Sequence, residues 1–317
     1  MTDNVPDLNT IREAALRIDP YILKTPVHRS ENIDRKTGAR VFFKCENFQK
    51  AGAFKMRGAA NAVFGLSDEE AAKGVATHSS GNHAGAIARA AQLRGIPAYI
   101  VMPSNVSVVK RDAAASYGAT IIEVEPGFEH RITGVERAQQ ETGAKVIPPF
   151  DDYRIIAGQG TVALELMEEI PDLDIVIAPV GGGGLLSGTC IAAKGLNPDV
   201  VIYGAEPELA DDAFRSLQTG SIQPVLSEAT IADGLRTGLC ERTFSIIRNN
   251  VEAILTVSDD EIVDAMRFVW ERMKIVIEPS AAVPVAALFR YPERFAGKRV
   301  GLIVSGGNVD LSKLPWD

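Results

Sequence analysis

Lys55 lies in the stretch of this sequence whose residue types most favour covalent chemistry. The stretch reads N-F-Q-K-A-G-A-F-K-M-R at 47–57, and it places Lys55 between Phe54 and Met56. Burial lowers the pKa of a lysine amine, and a neutral amine can attack a carbonyl group and form an imine. The stretch therefore predicts a Schiff-base lysine, although a surface lysine just before a helix would look similar. Lys50 lacks these apolar neighbours, and we expect it to be a surface residue.

A run of four glycines, G-G-G-G at 181–184, indicates a site for a phosphate group. The run follows the apolar segment I-V-I-A-P-V and opens an apolar helical pattern. Glycines at such a junction let several backbone N–H groups point at one anion, with the helix N-terminus behind them. No Lys-Ser/Thr pair follows, and the spacing is not that of a dinucleotide fingerprint. The run predicts a phosphate loop of another kind; the alternative is a flexible turn.

Two further polar motifs follow apolar runs that read as strands. In S-S-G-N-H at 79–83, backbone N–H groups and serine hydroxyls could hold a carboxylate, while Asn82 could donate to a phenolate oxygen of a cofactor. In S-G-G-N at 305–308, the Ser305 hydroxyl could reach a ring nitrogen without favouring its protonation. Both motifs also fit ordinary roles, since serine and asparagine often cap helices or form turns.

Acidic and basic side chains mark two more candidate sites. In E-P-E-L-A-D-D at 206–212, closely spaced carboxylates suit a hard cation such as Mg²⁺ or Ca²⁺, but acids in a first helical turn also pair with the helix dipole. In F-E-H-R at 128–131, read as a loop before a helix, His130 and Arg131 could meet an anionic substrate, or could simply be solvated.

The elements that must position these motifs follow a repeated strand–helix alternation. Apolar strands are predicted at 75–77, 98–102, 120–124, 145–147, 175–180, 200–205, 253–257 and 300–304. Helical patterns of about a dozen residues separate most of them, which is typical of parallel sheets. We predict an α/β fold of two parallel-sheet domains, with a smaller domain at 73–148 inserted into a larger one at 1–72 and 149–317. The ligand site is expected in the crevice between them, at the carboxyl ends of the strands.

Composition narrows the classes of function. The chain has 317 residues, 46% of them hydrophobic, and a net charge of -8, with no basic block suited to nucleic acid. No apolar run approaches the ~18 residues of a membrane span, and the first residues do not resemble a secretory signal. Three widely spaced cysteines suit a reducing compartment, and four histidines without a zinc-binding pattern argue against zinc. We expect a cytoplasmic protein that binds neither nucleic acid nor membrane.

Taken together, the motifs resemble those of the fold-type II pyridoxal-phosphate enzymes, the tryptophan synthase β-like fold, over nearly the whole chain. The resemblance is carried, in this order, by K-C-E-N-F-Q-K-A-G-A-F-K-M-R-G-A, T-H-S-S-G-N-H, A-G-Q-G-T, G-G-G-G-L-L-S-G, I-A-D-G-L and S-G-G-N-V-D. Within this family the sequence is similar to the branch of serine/threonine dehydratases and serine racemases, and looks closest to 3-hydroxyaspartate dehydratases. One departure is Ala53, where many members have a serine.

The resemblance implies roles for matching residues. Lys55 would form the imine with pyridoxal 5'-phosphate, and Phe54 would lie beside the ring. Asn82 would bind the ring oxygen and Ser305 the ring nitrogen. The cofactor phosphate would be held by Gly181, Gly182, Gly183 and Gly184. The substrate carboxylate would be received by Ser79, Ser80, Gly81, Asn82 and His83.

The resemblance also implies a second proton-transfer residue and a metal site. Ser80 would face the substrate from the side opposite the lysine and could move a proton there. A divalent cation, Mg²⁺ or else Ca²⁺ or Mn²⁺, would be bound by the carboxylates of Glu206 and Asp212 and the backbone carbonyl of Ala210. A homodimer is the usual assembly in the family.

The implied activity is β-elimination from a β-hydroxy-α-amino acid, giving water, a 2-oxo acid and ammonia. If Arg131 points into the site, the substrate is expected to carry a second carboxylate, as 3-hydroxyaspartate does; otherwise threonine or serine is expected. Two alternatives stay open: a serine or aspartate racemase using Ser80, and a non-catalytic regulator that binds the cofactor or an amino acid. No C-terminal regulatory domain is expected.

Overall fold

A computed structural model describes residues 4–106 and 108–316 of the chain. The strands are β1 (Val27–Arg29), β2 (Arg40–Cys45), β3 (Val75–His78), β4 (Ala98–Pro103), β5 (Thr120–Val124), β6 (Lys145–Val146), β7 (Ile175–Pro179), β8 (Val201–Pro207), β9 (Ala253–Val257) and β10 (Arg299–Val304). The helices are α1 (Leu8–Ile18), α2 (Glu31–Thr37), α3 (Lys55–Phe64), α4 (Asp68–Ala72), α5 (Asn82–Arg94), α6 (Val108–Ser116), α7 (Phe128–Thr142), α8 (Tyr153–Glu169), α9 (Gly184–Leu196), α10 (Asp212–Thr219), α11 (Glu241–Asn250), α12 (Asp259–Met273) and α13 (Pro279–Arg290).

A six-stranded sheet combines strands from both ends of the described chain. Its order is β1-β2-β10-β7-β8-β9, and every neighbouring pair is parallel except β1 with β2. Side chains alternate between its faces along β7, where Ile175 and Ile177 join one apolar cluster and Val176 joins the other. Complete burial of such a side chain stabilises the fold by about 1.5 to 3 kcal/mol. This explains why β7 is a continuous apolar run rather than an alternating one.

A second, four-stranded sheet is built only from strands between residues 75 and 146. Its order is β5-β4-β3-β6, and all its pairs are parallel. The smaller sheet therefore interrupts the larger one in sequence, which confirms the predicted α/β architecture with one unit inserted in the other. The domain boundaries at 72/73 and 148/149 remain a prediction.

Several short elements were not predicted from the sequence pattern. They include the antiparallel edge strand β1 and the helices α2 and α4, because segments this short carry little periodicity. The ten-residue helix α11 was also not predicted. The helix predicted at 208–219 is divided into a 3₁₀ turn at Glu208–Ala210 and helix α10. The segment F-E-H-R, expected in a loop, forms the first turn of α7.

Helix α8 joins the helix that follows Lys55 to the helix that follows the glycine run. A Cβ on Gly158 of α8 would lie 2.6 Å from the Cα of Gly58 in α3. At the contact between α8 and α9, a Cβ on Gly188 of α9 would lie 2.5 Å from the backbone nitrogen of Gly160 in α8. The glycines of A-G-Q-G-T at 157–161 thus allow close helix packing, and they couple α3 and α9 through a shared neighbour.

Within the described part of the chain, no helix has both the length and the apolar character needed to cross a membrane.

Candidate active site

Four neighbouring parallel strands deliver the predicted site residues to one edge of the large sheet. Ser305 directly follows β10, the glycine run follows β7 and Glu206 lies near the end of β8. Lys55 follows β2 after two short 3₁₀ turns. Because β2, β10, β7 and β8 are adjacent, their carboxyl ends bring these motifs together, as expected for an open α/β sheet.

The amine of Lys55 is held at this edge by a backbone carbonyl. Lys55 is the first residue of α3, and its Nζ donates a hydrogen bond of 2.8 Å to the carbonyl oxygen of Pro149. The same Nζ lies 5.2 Å from the centroid of the Phe54 ring. Burial lowers the pKa of Lys55 to about 8. A considerable fraction of the amine is therefore neutral near physiological pH, which a nucleophilic lysine requires.

Backbone hydrogen bonds tie the lysine segment to the serine segment. The N–H of Phe54 donates to the carbonyl of Ser305 at 2.9 Å, and Ala53 pairs with Gly306 in an antiparallel bridge. The Ser305 side chain is buried. The structure thus brings the segments of Lys55 and Ser305 together.

A buried ion cluster anchors the helix that carries the lysine. Arg57 is fully buried and binds Glu46 through two hydrogen bonds of 2.8 Å, while its third nitrogen contacts Glu165 at 2.6 Å. Lys44, also fully buried, contacts Glu165 at 2.6 Å. Burial acts to lower the pKa of Arg57, but the two carboxylates raise it overall, so the guanidinium stays charged. The two positive and two negative charges cancel, and their pairing offsets the free-energy cost of burying them.

The glycine run forms a tight loop that has no room for larger residues. Gly183 has φ of 84°, a left-handed conformation that favours glycine, and it caps α9. A Cβ on Gly182 would lie 2.3 Å from the ring of Phe150, and one on Gly181 would lie 2.9 Å from the Cα of Leu235. The N–H of Gly182 donates to the Thr237 hydroxyl at 3.1 Å. The loop thus leads directly into the N-terminus of α9, where the backbone N–H groups of the first helical turn favour an anion.

The serine loop lies at the end of β3 in the smaller sheet and is more open. Ser79, Ser80, Gly81 and Asn82 are all half-buried, and a Cβ on Gly81 would meet no atom within 4 Å. The Ser79 hydroxyl accepts a hydrogen bond of 3.3 Å from the N–H of Gly81. Asn82 begins α5, and its side-chain amide donates to Glu278 in the large sheet unit at 2.8 Å.

His83, predicted in the same loop, is buried and electrically neutral. Its Nε2 lies 3.1 Å from the carbonyl oxygen of Ile147, so this nitrogen carries the proton and donates. Burial, followed by the positive charge of Lys55, lowers the pKa of His83 to about 3. His83 consequently supplies no positive charge for a carboxylate near neutral pH, and its contact with Ile147 links α5 to the end of β6.

Glu206 and Asp212 form a buried pair of acids. Glu206 accepts hydrogen bonds of 2.9 Å from the backbone N–H groups of Ala213 and Phe214. Asp212 accepts one of 3.2 Å from the N–H of Leu239 through Oδ2, whereas its buried Oδ1 has no hydrogen-bond partner in the described chain. Burial, and then the charge of Asp212, raises the pKa of Glu206 well above its usual range.

This acidic pair has few protein ligands for a metal ion. No cluster of three or more histidine, cysteine or acidic side chains suited to a metal occurs among residues 4–106 and 108–316. A cation bound between Glu206 and Asp212 would need further oxygen ligands, such as water and the carbonyl of Ala210 in the preceding turn. The orphaned Oδ1 of Asp212 fits such an ion.

Arg131 lies in the first part of α7, close to the serine loop. It is half-buried, and its positive charge, second to burial, lowers the pKa of His78. His78 ends β3 and immediately precedes Ser79. His130, which directly precedes Arg131 in the chain, is exposed. The charge of Arg131 thus acts on the residue that borders the serine loop.

The structure adds site residues that were not assigned from the sequence. Pro149 accepts from Lys55, Phe150 packs on the glycine loop, and Glu278 and Asn308 both contact Asn82. Asn308 belongs to the S-G-G-N motif, and Pro149 lies at the predicted domain boundary. Glu278 has only a weak signal in the sequence, an acid directly before a proline at a helix start.

Comparison with known proteins agrees with this geometry. Residues 18–306 match the sequence pattern of the family described as "Pyridoxal-phosphate dependent enzyme". The chain belongs to this family. The beta-hydroxyaspartate dehydratase of Paracoccus denitrificans (strain Pd 1222) is 51% identical over 313 residues, which cover 99% of this chain and 99% of that protein. The L-threo-3-hydroxyaspartate ammonia-lyase of Saccharomyces cerevisiae is 49% identical over 310 residues, covering 98% and 95%.

The structure of maize serine racemase is also similar to this pyridoxal-phosphate-dependent enzyme. Its TM-score is 0.96 at 47% sequence identity, covering 98% of this chain and 95% of the maize chain. The fold-type II assignment made from the motifs is confirmed. Because dehydratases and a racemase are similar to nearly the same degree, identity alone does not choose between the two activities.

Proposed function

We propose that this protein is a dehydratase (ammonia-lyase) that eliminates water from a β-hydroxy-α-amino acid, with 3-hydroxyaspartate as the preferred substrate. Loss of water gives an imino acid, which hydrolyses to a 2-oxo acid and ammonia. The observation that carries the proposal is the amine of Lys55, whose pKa burial lowers to about 8, beside the glycine loop and Ser305. The dehydratases among the relatives support the reaction class.

The proposed cofactor-binding residues surround Lys55. Lys55 would hold pyridoxal 5'-phosphate through its amine, with Phe54 against the ring and Ser305 at the ring nitrogen. The phosphate would be bound at the N-terminus of α9, by the loop of Gly181, Gly182, Gly183 and Gly184. The bound cofactor supplies a sink for the electron pair released at the substrate α-carbon. A neutral hydroxyl at position 305 would leave the ring nitrogen unprotonated.

The chain's own groups would carry and direct the proton. Lys55 would accept the substrate α-proton on its neutral Nζ. Its pKa of about 8 matches this role, since a general base works best when its pKa is near the operating pH. The loop of Ser79, Ser80, Gly81 and Asn82 would bind the α-carboxylate, with His83 supporting it as a neutral residue.

The preference for 3-hydroxyaspartate rests on Arg131. Its charge is close enough to His78 to lower that residue's pKa, and His78 borders the loop proposed to bind the α-carboxylate. A guanidinium there suits a second carboxylate, which it can bind in a bidentate manner. Threonine and serine, which lack that carboxylate, would be weaker substrates.

The function is tested by incubating the cofactor-loaded protein with 3-hydroxyaspartate isomers, threonine and serine. Release of ammonia and 2-oxo acid should have the highest kcat/KM with one 3-hydroxyaspartate isomer. A higher kcat/KM with threonine or serine would contradict the proposed substrate. A cofactor absorbance band that no amino acid alters would instead support a non-catalytic binding protein.

A racemase is the second candidate, because Ser80 lies in the loop at the end of β3 and maize serine racemase is a close structural relative. Racemisation needs a proton donor on the face opposite Lys55, and the Ser80 hydroxyl would be that donor. Chiral analysis of unreacted serine and aspartate separates the two functions: a growing fraction of the opposite enantiomer without 2-oxo acid indicates the racemase.

We further propose a divalent cation, Mg²⁺ or else Ca²⁺ or Mn²⁺, at Glu206, Asp212 and the carbonyl of Ala210. The support is the buried acid pair with its unpartnered Oδ1. A bound cation at 100 times its Kd would stabilise the protein by about 2.7 kcal/mol. In thermal unfolding, Mg²⁺ should raise the Tm by several degrees relative to chelator. Asp212→Asn should remove this increase in Tm. Asp211→Asn is the control, because Asp211 pairs with Arg215, and it should keep the increase.

We also propose that residues 73–148 form a small domain that closes over the substrate against the large domain at 1–72 and 149–317. An ion pair between Lys110 of α6 and Asp233 already bridges the two units. Small-angle scattering with a non-reacting dicarboxylate such as succinate should give a smaller radius of gyration. An unchanged radius at saturating ligand would argue against closure.

A cytoplasmic homodimer is proposed for the assembly and location. The cysteines Cys45, Cys190 and Cys240 are free, which suits a reducing compartment. A homodimer is the assembly that the family resemblance implies. Light scattering should give twice the chain mass; a monomer mass would contradict the dimer.

A further inference from the structure

Glu278 is a buried acid at the edge of the candidate active site that the proposed mechanism does not use. It immediately precedes α13 and is only 3% exposed. Its carboxylate packs on the serine segment, since a Cβ on Gly306 would lie 2.6 Å from Oε1. A buried carboxylate needs hydrogen-bond donors to offset its desolvation, so its partners show what it is placed to hold.

The partners of Glu278 form a closed ring of three residues. Oε1 accepts from the side-chain amide of Asn82 at 2.8 Å, and Oε2 accepts from the backbone N–H of Asn308 at 3.2 Å. The side-chain amide of Asn308 in turn donates to Oδ1 of Asn82 at 2.9 Å and to the carbonyl of Ala51 at 2.8 Å. Both ends of the Asn82 amide are therefore engaged.

This ring permits only one orientation of the Asn82 amide. If the amide were flipped, its NH₂ group would face the NH₂ group of Asn308, and its oxygen would face the carboxylate of Glu278. Both contacts would be repulsive. An amide nitrogen has two N–H donors, and Glu278 uses one of them.

We propose that Glu278 and Asn308 are positioning residues that fix the Asn82 amide so that its second N–H is presented to the ring oxygen of the cofactor. The inference rests on the proposed role of Asn82 in binding that oxygen. The two residues act only through Asn82, and neither takes part in proton transfer.

The same ring also joins the two sheets. Asn82 begins α5 and follows the serine loop of the smaller sheet, whereas Glu278 and Asn308 belong to the larger sheet unit. Loss of the ring would therefore disturb cofactor and substrate binding together.

Glu278 is the titratable member of the ring. Burial and then the charge of Asp233 raise the pKa of Glu278 to about 8, while Asn82, Lys110 and Asn308 act to lower it. The ionised carboxylate, which prevails above this pH, accepts both donors of the ring at once, whereas the protonated form that prevails below it has fewer acceptor sites for Asn82 and Asn308.

Asn308→Ala tests the proposal with little risk to folding, because Asn308 is exposed and carries no charge. It removes the donor to Asn82 Oδ1. In the absence of substrate, we expect the visible absorbance band of bound pyridoxal phosphate to shift. The shift should have the same direction as the one caused by Asn82→Ala. The KM for the amino acid should rise about fivefold, as for one lost hydrogen bond. Asp310→Ala, a control in the same segment whose side chain contacts Ser312, should leave both unchanged.

Substitutions at Glu278 and Asn308 together separate an effect on the orientation of Asn82 from an effect on folding stability. Glu278→Gln leaves a donor facing a donor in the ring, so it should shift the band and lower the unfolding temperature. Adding Asn308→Asp allows the contacts with Asn82 to form again, but only around a flipped Asn82, and it removes the donor to the carbonyl of Ala51. The double variant should therefore recover part of the lost unfolding temperature and keep the altered spectrum.

Two results would overturn the inference: a wild-type spectrum in Asn308→Ala, or a wild-type spectrum in the double variant. If Glu278→Gln does not fold, these two variants still decide the question. The wild-type protein separates this inference from the proposed function, because a chain that forms no visible band with pyridoxal phosphate refutes the function itself.

Discussion

The glycine loop at 181–184 and the serine loop at 79–82 both join a parallel strand to the start of a helix, but they are packed very differently. Added Cβ atoms in the glycine loop would collide with Phe150, Leu235 or Thr243. An added Cβ on Gly81 of the serine loop would meet nothing within 4 Å. The glycine loop, proposed to hold the cofactor, is thus the closed part of the site, because its neighbours leave no space for larger residues. The serine loop, proposed to hold the substrate, is the open part. A side chain can therefore be added at Gly81 without a steric clash.

The largest effect is expected at the lysine that the closed part surrounds. Lys55→Ala should abolish the visible cofactor band and reduce kcat by more than about 10³-fold, because general-base catalysis alone contributes about 10² to 10⁴. Lys50→Ala is the control and should change neither. Absorbance and ammonia release measure both. A full band in Lys55→Ala would mean that another amine binds the cofactor.

Selectivity in the open part should depend on Arg131. Arg131→Ala should lower kcat/KM for 3-hydroxyaspartate about 10- to 100-fold, as expected for a lost hydrogen bond between charged groups of about 1.5 to 3 kcal/mol. Activity on threonine and serine should change little. His130→Ala, at an exposed neighbour, is the control. Equal losses on all three substrates would remove Arg131 from the specificity argument.

A matched pair of glycine substitutions compares the two loops directly. Gly182→Ala places a methyl group 2.3 Å from the Phe150 ring and should destabilise the apo-protein by about 1 to 3 kcal/mol, the usual effect of overpacking. Gly81→Ala should change stability by less than about 0.5 kcal/mol. Chemical denaturation and cofactor titration measure the difference. Equal stability losses would show that the serine loop is as tightly packed as the glycine loop.

A further prediction concerns the protonation of Lys55. Because burial lowers its pKa to about 8, the neutral fraction grows as pH rises and levels off above that value. The rate at which apo-protein attaches pyridoxal phosphate should increase about tenfold per pH unit well below 8 and then plateau, as stopped-flow absorbance can follow. A midpoint near that of an ordinary lysine, about 10.4, would show that the amine is not desolvated.

The glycine loop could be predicted from the sequence, whereas the contacts made by Glu278 and Pro149 around the site could not. Four consecutive glycines between the buried run of β7 and an apolar helix are typical of a loop that binds an anion through its backbone, and the strand–helix alternation predicted both sheets. Glu278 was not predicted because its partner Asn82 lies 196 positions away, and the local sequence reads as an ordinary helix start. The carbonyl of Pro149 could not be foreseen either, since any residue type can supply a backbone acceptor.

The ion cluster below Lys55 was missed for a related reason. Arg57 belongs to the lysine motif, but its partner Glu165 lies in α8, 108 positions further along the chain. Charged residues are usually at the surface, so a pattern of buried and exposed residues places them outside the core. Only the three-dimensional pairing of these charges shows why they are buried here.

The hydrogen bond between Phe54 and Ser305 has a consequence for how the protein is made. These two residues are joined in space but are synthesised far apart in time, because β10 is translated after every other described strand of the sheet. While the ribosome is still producing the earlier strands, Lys55 has no neighbouring strand to fix its backbone and no hydroxyl opposite it. With Ser305 in its proposed role at the cofactor ring, stable cofactor loading would therefore have to wait until translation has passed Ser305.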